Sequence, residues 1–208
     1  MRLLGAAQAL DAELSARYYP SLYPILATFL LTGGRKQEVL GLERSDVDVT
    51  GGWVHIRDNP WRGLDRGLKS KHSRRRVPLW PQLQEILETH LATLRPGALL
   101  FPSHRQRSER PFTEIDRALS AAVAKAEIDK PVTLHTLRHT YTAHRLCTVE
   151  GGAPVSVWDV ACELGHRDTA MVERTYGHVL RDRDRRGTRE AEVRYETAKV
   201  LPLAARNA

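Results

Sequence analysis

TLHTLRHTYTAHR, residues 133–145, places three histidines and two arginines within thirteen positions. Solvated helix faces more often carry Lys, Glu and Gln, which are better helix formers than His. If the segment is helical, His135, Arg138 and His139 stand at i, i+3 and i+4 and share one face. One guanidinium fork between two imidazoles suits the holding of a phosphate and the transfer of a proton. The stretch therefore predicts chemistry on this helix, provided that partners elsewhere in the chain support it.

A zinc site is an alternative interpretation of the same face, because two histidines four residues apart on a helix also bind zinc. In the zinc motif H-E-x-x-H a glutamate follows the first histidine, whereas Thr136 stands there in this chain. A two-metal nuclease site would need a cluster of carboxylates that the sequence does not offer. The phosphate-binding motif GxxxxGK[ST] does not occur either. We therefore predict a site that uses no metal, ATP or other cofactor.

The composition favours a protein that binds a polyanion. There are 32 Lys and Arg against 25 Asp and Glu, which gives a net charge of +7 and a pI near 9.7. Such a basic surplus favours nucleic acid as the partner. Two cysteines are too few for a disulfide framework, and we predict that Cys147 and Cys162 are reduced, buried thiols of a cytoplasmic protein. No apolar run approaches the ~20 residues of a membrane span.

Hydrophobic periodicity predicts one mainly helical domain (α+β) with a small antiparallel sheet of three strands. Helical spacing recurs in segments that Pro and Gly delimit: 6–19, 21–34, 35–42, 81–94, 113–128, 133–145, 154–165 and 169–180. Strand-like runs replace it at GGWVHIRD (51–58) and RRRVPLW (74–80). The basic connection between these two runs holds a candidate third strand near residues 67–71.

Four motifs follow one another along the chain: TGGRKQEVLGL at 32–42, KSKHSRRRVPL at 69–79, HTLRH at 135–139, and LGH at 164–166 with Tyr176 beyond it. Each motif alone is weak, but the set in this order resembles the catalytic domain of the tyrosine recombinases, the phage-integrase type of DNA strand-exchange enzyme. The resemblance runs from about residue 32 to residue 178. It implies the fold of the DNA breaking-rejoining enzymes and a site-specific recombinase activity.

The resemblance implies that Arg35 and Arg138 bind the nonbridging oxygens of the scissile phosphate. Two guanidinium forks there would stabilise the negative charge that builds up in the transition state. Tyr176 would be the nucleophile, giving a 3′-phosphotyrosyl link and a free 5′-hydroxyl. This covalent intermediate conserves the energy of the phosphodiester bond. Tyr195 is a weaker candidate for the nucleophile, since no LGH motif precedes it at the right distance.

The remaining polar residues of the motifs would assist these groups. By the resemblance, His135 is a phosphate ligand and proton carrier, and His166 donates a hydrogen bond to a nonbridging oxygen. His139 is predicted to support them, while Glu38 orients an arginine or caps its turn. His144 and Arg145 are predicted to be ordinary surface residues.

A lysine of the basic connection would protonate the 5′ leaving oxygen, because an alkoxide is a poor leaving group. Lys69 and Lys71 both precede the strand at a suitable distance. We favour Lys69 and keep Lys71 as the alternative. The three arginines that follow, at 74–76, are predicted to touch backbone phosphates or solvent.

For the organisation of the chain, we predict a catalytic domain over residues 1–180 and a C-terminal tail over 181–208. In the family such a tail often forms a helix that docks on a neighbouring protomer. The N-terminal core-binding domain of the family is absent, so we interpret the chain as a fragment. The expected partner is double-stranded DNA, bound by a homotetramer, with the fragment monomeric in solution. Accessory DNA-bending proteins are further candidate partners.

Two other functions use the same residues. A type IB topoisomerase would relax supercoiled DNA through the same phosphotyrosine chemistry, but as a single subunit without site preference. A non-catalytic relative would bind DNA only. The complete set of candidate catalytic residues favours an enzyme over this second alternative.

Overall fold

A computed structural model describes residues 2–14, 21–57, 74–94, 98–103, 111–150 and 152–186. These residues form the mainly helical fold that the periodicity predicts. The helices of the described residues are α1 (Arg2–Leu14), α2 (Leu22–Thr32), α3 (Lys36–Leu40), α4 (Pro81–Thr93), α5 (Ile115–Lys125), α6 (Leu134–Leu146), α7 (Val157–Leu164) and α8 (Ala170–Arg186). None of them is both long enough and apolar enough to span a bilayer.

A small antiparallel sheet lies beside the helices, as predicted. Its strands are β1 (Val47–Asp48), β2 (Trp53–Ile56) and β3 (Arg75–Pro78), in the order β1-β2-β3. The third strand of this sheet is β1, which was not predicted. The strand candidate at 67–71 lies outside the described residues. A second, two-stranded sheet of β4 (Val149–Glu150) and β5 (Ala153–Pro154) was also not predicted.

The α2 helix lies at the centre of the core, because its sequence is apolar on nearly every side. Its side chains are almost all buried, and it packs against α1, α4 and α6. The helix ends at Gly33, which has a φ of 61° and caps it in the left-handed conformation. A Cβ atom at this position would collide with the Tyr141 ring of α6. Glycine therefore allows α2 to end against α6, and the chain then enters α3 at Arg35.

The α6 helix packs one face into the core and exposes another to solvent. Thr133 caps its N-terminus by accepting a hydrogen bond from the backbone of Thr136 at 3.2 Å. Leu137 and Tyr141 are buried on one face, whereas His135 and His139 are exposed on another. The predicted cluster of polar residues is thus carried by a helix that the core holds in place.

The prediction that Arg145 is a surface residue was wrong. Arg145 follows Leu137 and Tyr141 at four-residue intervals, so it lies on the core face of α6, and its side chain is 3% exposed. The Glu163 carboxylate on α7 pairs with it at 2.7 Å, which compensates the buried charge. His144, one residue earlier, is exposed as predicted.

The prediction of two buried thiols was also wrong, since Cys147 is half-buried and Cys162 is exposed. Cys147 is the residue that caps the C-terminus of α6, just beyond its last apolar position. The α8 helix extends from Ala170 to Arg186, so it continues into the segment 181–208 that we expected to form the tail. Residues 187–208 lie outside the described residues.

Candidate active site

Arg35 begins α3, and Glu38 fixes it there. One carboxylate oxygen of Glu38 accepts a hydrogen bond from the Arg35 backbone N–H at 2.7 Å, which completes a capping box. The other oxygen accepts from Arg35 Nη1 at 2.8 Å. The Arg35 side chain remains 46% exposed. Its guanidinium is therefore oriented by Glu38 and still accessible from solvent.

Arg75 approaches the same carboxylate from β3. Its Nη1 and Nη2 donate to the two oxygens of Glu38 at 3.1 and 2.8 Å, and its Nε donates to the Glu163 carbonyl at 2.6 Å. The side chain is only 6% exposed. The prediction that Arg75 touches phosphate or solvent was therefore wrong. Side chains alternate along a strand, so Arg75 points to the same side as the buried Val77, and this signal was available in the sequence.

Arg138 of α6 is buried between the ends of two other helices. Its Nη1 donates to the Gly33 carbonyl at 2.6 Å, and its Nη2 donates to the Leu164 carbonyl at 2.7 Å. Both carbonyls belong to helix C-termini, whose partial negative charge favours a cation. Burial, together with the nearby charges of Arg35 and Arg75, lowers the pKa of Arg138 to about 10. Arg138 is thus rigidly held and still protonated at neutral pH.

His166 follows the glycine that ends α7 and contacts Arg138. Its Nε2 lies 3.1 Å from Arg138 Nη2, and an arginine only donates, so Nε2 accepts and the ring proton is on Nδ1. Burial and then the charges of Arg138, Arg35 and Arg75 lower the pKa of His166. His166 is therefore a neutral imidazole near pH 7, with an N–H group to donate.

The groups around Arg138 carry more positive than negative charge, which favours the binding of an anion. Three guanidinium groups, those of Arg35, Arg75 and Arg138, influence one another, and Glu38 is the carboxylate that pairs with two of them. Burial disfavours the charged form of Glu38, but hydrogen bonds and charge from Arg75 and Arg35 outweigh it and hold the pKa at about 2. The carboxylate is therefore fully ionised at neutral pH, and the cluster retains excess positive charge.

Tyr176 brings a hydroxyl group from α8 to this cluster. The side chain is half-buried, and its hydroxyl oxygen is hydrogen-bonded to Nδ1 of His139. Burial raises the pKa of Tyr176, and a hydrogen bond with the Thr142 side chain and the positive charge of Arg138 offset this only in part. The hydroxyl is thus protonated at neutral pH and needs a base before it attacks an electrophile.

His139 is placed to be that base. Burial, followed by the proximity of His135 and Arg138, lowers the pKa of His139 below its ordinary value of 6.5. The imidazole is therefore neutral near pH 7, and its Nδ1 is free to accept a proton from the hydroxyl. The exposed His135 ring stands edge-on to His139, with 4.7 Å between the ring centroids. The structure places His139, not His135, against the tyrosine hydroxyl.

A buried layer behind the cluster fixes the end of α7. Arg145 donates to both carboxylate oxygens of Glu163, with the shortest contact at 2.7 Å, and the Tyr141 hydroxyl donates to the same carboxylate at 2.8 Å. The backbone carbonyls of Glu163 and Leu164 are the acceptors for Arg75 and Arg138. This layer therefore locks the acceptors that orient two of the three arginines. This buried layer was not predicted from the sequence.

The structure thus brings together most of the predicted site, namely Arg35, Glu38, His135, Arg138, His139, His166 and Tyr176. Lys69 and Lys71 lie outside the described residues, so their distance from this cluster stays a prediction. Among the residues that the structure does describe, no group of three His, Cys, Asp or Glu side chains is arranged to hold a metal ion.

Comparison with known proteins identifies relatives of the chain. Residues 3–183 match the model of the phage integrase family. Tyrosine recombinase XerD of Halalkalibacterium halodurans is 32% identical over 170 residues, which cover 77% of this chain and 50% of the relative. The chain spans about half the length of the curated relatives it matches.

Solved structures show the same architecture. XerA recombinase superposes with a TM-score of 0.64 at 26% identity, covering 87% of this chain and 58% of XerA. The Tn1549 transposon integrase in complex with circular intermediate DNA superposes with a TM-score of 0.61 at 19% identity, covering 88% of this chain and 65% of the integrase. This second likeness concerns the fold alone.

Proposed function

Because this chain belongs to the phage integrase family and has the fold of a tyrosine recombinase catalytic domain, we propose that it cleaves and rejoins DNA through Tyr176. The observation that carries the proposal is the position of the Tyr176 hydroxyl. It is hydrogen-bonded to His139, on the helix whose Arg138 belongs to a cluster with excess positive charge. A tyrosine, a base and an anion site in contact are the parts that nucleophilic attack on a phosphodiester requires.

The arginine cluster supplies the phosphate site. Arg35 is oriented by Glu38 and Arg138 by the ends of two helices, so both forks are positioned before DNA arrives. The neutral His166 adds a donor at Nδ1. Preorganised donors of this kind stabilise the charge of the transition state without a cost of reorganisation. His135, exposed at the start of α6, is proposed as a further ligand of the phosphate.

In the proposed cleavage step, the Tyr176 oxygen forms a bond to phosphorus while the bond from phosphorus to the 5′ oxygen breaks. The hydroxyl proton passes to Nδ1 of His139. The leaving 5′ oxygen takes a proton from Lys69, with Lys71 as the alternative donor. Rejoining is the reverse, with a 5′-hydroxyl attacking the phosphotyrosine and His139 returning its proton. No bond energy is lost between the two steps, which is why neither step needs ATP.

We propose that the full protein acts on double-stranded DNA as a tetramer, because exchange between two duplexes needs four cleavages. The segment from Arg181 onward is proposed to contact a neighbouring protomer. Removing it should then abolish cooperative assembly on DNA, and normal recombination by the shortened chain would contradict this role.

The proposal is tested with nicked duplexes that carry randomised sequence around the nick. Cleavage next to the nick releases a short strand, so that rejoining is prevented and the protein remains attached to the DNA. We expect a complex that survives detergent, forms with EDTA present and needs no ATP. The trapped sequences then supply the substrate for later measurements. Binding without any covalent complex would show a non-catalytic DNA-binding protein. Relaxation of supercoiled DNA by a monomer, without site preference, would show a topoisomerase.

The role of His139 predicts how cleavage depends on pH. The rate should be level near pH 7 and fall as the pH drops below the lowered pKa of His139, since a protonated imidazole accepts no proton. Replacing His139 by glutamine should slow single-turnover cleavage by about 10²–10⁴-fold and remove the acidic limb of the profile. His144→Gln, an exposed histidine on the same helix, is the matched control and should leave rate and profile unchanged. An acidic limb that persists in His139→Gln would contradict the assignment.

A further inference from the structure

We propose that Arg75 is a positioning residue for the cleavage reaction: it holds the Glu38 carboxylate from the side of the sheet, so that Arg35 is presented to the phosphate and not neutralised. This inference rests on the function proposed above. From the sequence, Arg75 was expected to touch backbone phosphates or solvent. The burial of its side chain excludes such a contact.

The geometry divides one carboxylate between two arginines. A carboxylate accepts about four hydrogen bonds, and Glu38 accepts four, two from Arg35 and two from Arg75. Arg75 binds it with both ends of its planar fork, whereas the Arg35 side chain contributes a single Nη1 contact. The bidentate partner of Glu38 is therefore Arg75, and the Arg35 fork keeps donors that it can direct at a phosphate.

The sheet and α7 make Arg75 a rigid support. Its backbone pairs with Ile56 of β2, and its Nε donates to the Glu163 carbonyl. Arg138 donates to the next carbonyl, that of Leu164. Gly165 follows with a φ of 70°, and a Cβ atom there would lie 2.9 Å from Nη1 of Arg75. Arg75 and Arg138 are thus both positioned by the C-terminal end of α7, which relates the orientation of Arg35 to that of Arg138.

The charges of the cluster explain why the loss of Arg75 should slow the reaction. In the intact cluster, three arginines face one ionised glutamate. Without Arg75, the Glu38 carboxylate would have Arg35 as its partner in this set, and the attraction of Arg35 to Glu38 would compete with its attraction to the phosphate. The loss of Arg75 would therefore weaken the stabilisation of the transition state, although Arg75 itself does not touch the DNA.

Arg75→Met in the full chain tests this on the trapped substrate. Single-turnover cleavage at saturating DNA should slow by about 10- to 100-fold, the usual cost of misplacing a group that stabilises the transition state. The affinity for uncleaved duplex should change far less. Arg57→Met is the matched control, because Arg57 also pairs with a carboxylate beside the same sheet, Asp46 at 2.7 Å, and its removal changes the net charge equally. This control should cleave at the wild-type rate.

A second substitution tests whether Arg75 positions Arg35 for the reaction or only stabilises the fold. Adding Glu38→Gln to Arg75→Met removes another buried contact, so the double variant should be less stable to urea than the single variant. It should nevertheless cleave faster, by about 3- to 10-fold, because Arg35 is released from the carboxylate. The inference is overturned if Arg75→Met cleaves at the wild-type rate once the folded fraction is matched, or if the double variant is the slower one. Failure of the proposed function is distinguishable, since wild-type protein would then form no adduct through Tyr176.

Discussion

Replacing Tyr176 by phenylalanine should abolish the covalent DNA–protein complex while leaving the fold and DNA binding intact. The substitution removes one oxygen atom, and without it the side chain at position 176 has no atom that can form the bond to phosphorus. Loss of a nucleophile that acts together with a base costs an enzyme about 10⁴- to 10⁶-fold in rate. The measurement is the amount of detergent-stable complex formed on the nicked substrate over time, compared at equal occupancy of the DNA.

Tyr195→Phe is the control for this substitution, because Tyr195 is the weaker candidate for the nucleophile. It should form the complex at the wild-type rate. A complex that persists in Tyr176→Phe and disappears in Tyr195→Phe would contradict the assignment of Tyr176. Binding that fails in Tyr176→Phe would instead contradict the claim that its hydroxyl acts in chemistry and not in folding.

Replacing Arg138 by methionine should lower the cleavage rate by about 10³- to 10⁵-fold, as for other arginines that stabilise a phosphoryl transition state. Arg138 is 8% exposed, and its two Nη atoms are held by the carbonyls of Gly33 and Leu164. Its loss also leaves the carbonyls of Gly33 and Leu164 without this donor, so stability should fall as well. Single-turnover rates are therefore measured together with urea unfolding, and each rate is divided by the folded fraction.

Arg145→Met provides the comparison for Arg138→Met, since both remove a buried arginine from α6. Arg145 pairs with Glu163 in the buried layer behind the cluster, and breaking this ion pair should cost about 3–5 kcal/mol in the free energy of unfolding. Its cleavage rate per folded molecule should fall much less than that of Arg138→Met, because Arg145 affects the cluster only through the carbonyls of Glu163 and Leu164. Equal losses of rate in the two variants would mean that Arg138 acts only through stability.

The helices were predictable from sequence because their apolar residues recur at a clear period and their ends carry Pro, Gly or Thr. The ends of α2 and α6, at Gly33 and Thr133, follow directly from these rules. The short strands β1, β4 and β5 were missed because two residues are too few to show an alternation. Their pairing depends on neighbours that meet only in the folded chain.

The candidate site was predictable where a motif fixes its residues, as for Arg35, Arg138 and Tyr176. Burial was less predictable for the two arginines that were misjudged. Arg75 and Arg145 are buried because the carboxylates of Glu38 and Glu163, distant in sequence, compensate them. The contact between His139 and Tyr176 likewise depends on the packing of α8 against α6. Helical spacing predicts a face of α6, but not which of its histidines meets another helix.

The most direct test of the account is to identify the residue that carries the DNA. The trapped complex is digested with nuclease and protease, and the peptide that retains nucleotides is located by mass spectrometry. We expect a nucleotide joined through its 3′-phosphate to the oxygen of Tyr176. Attachment to any other residue, or a complex that dissociates when the protein is denatured, would contradict the proposed mechanism.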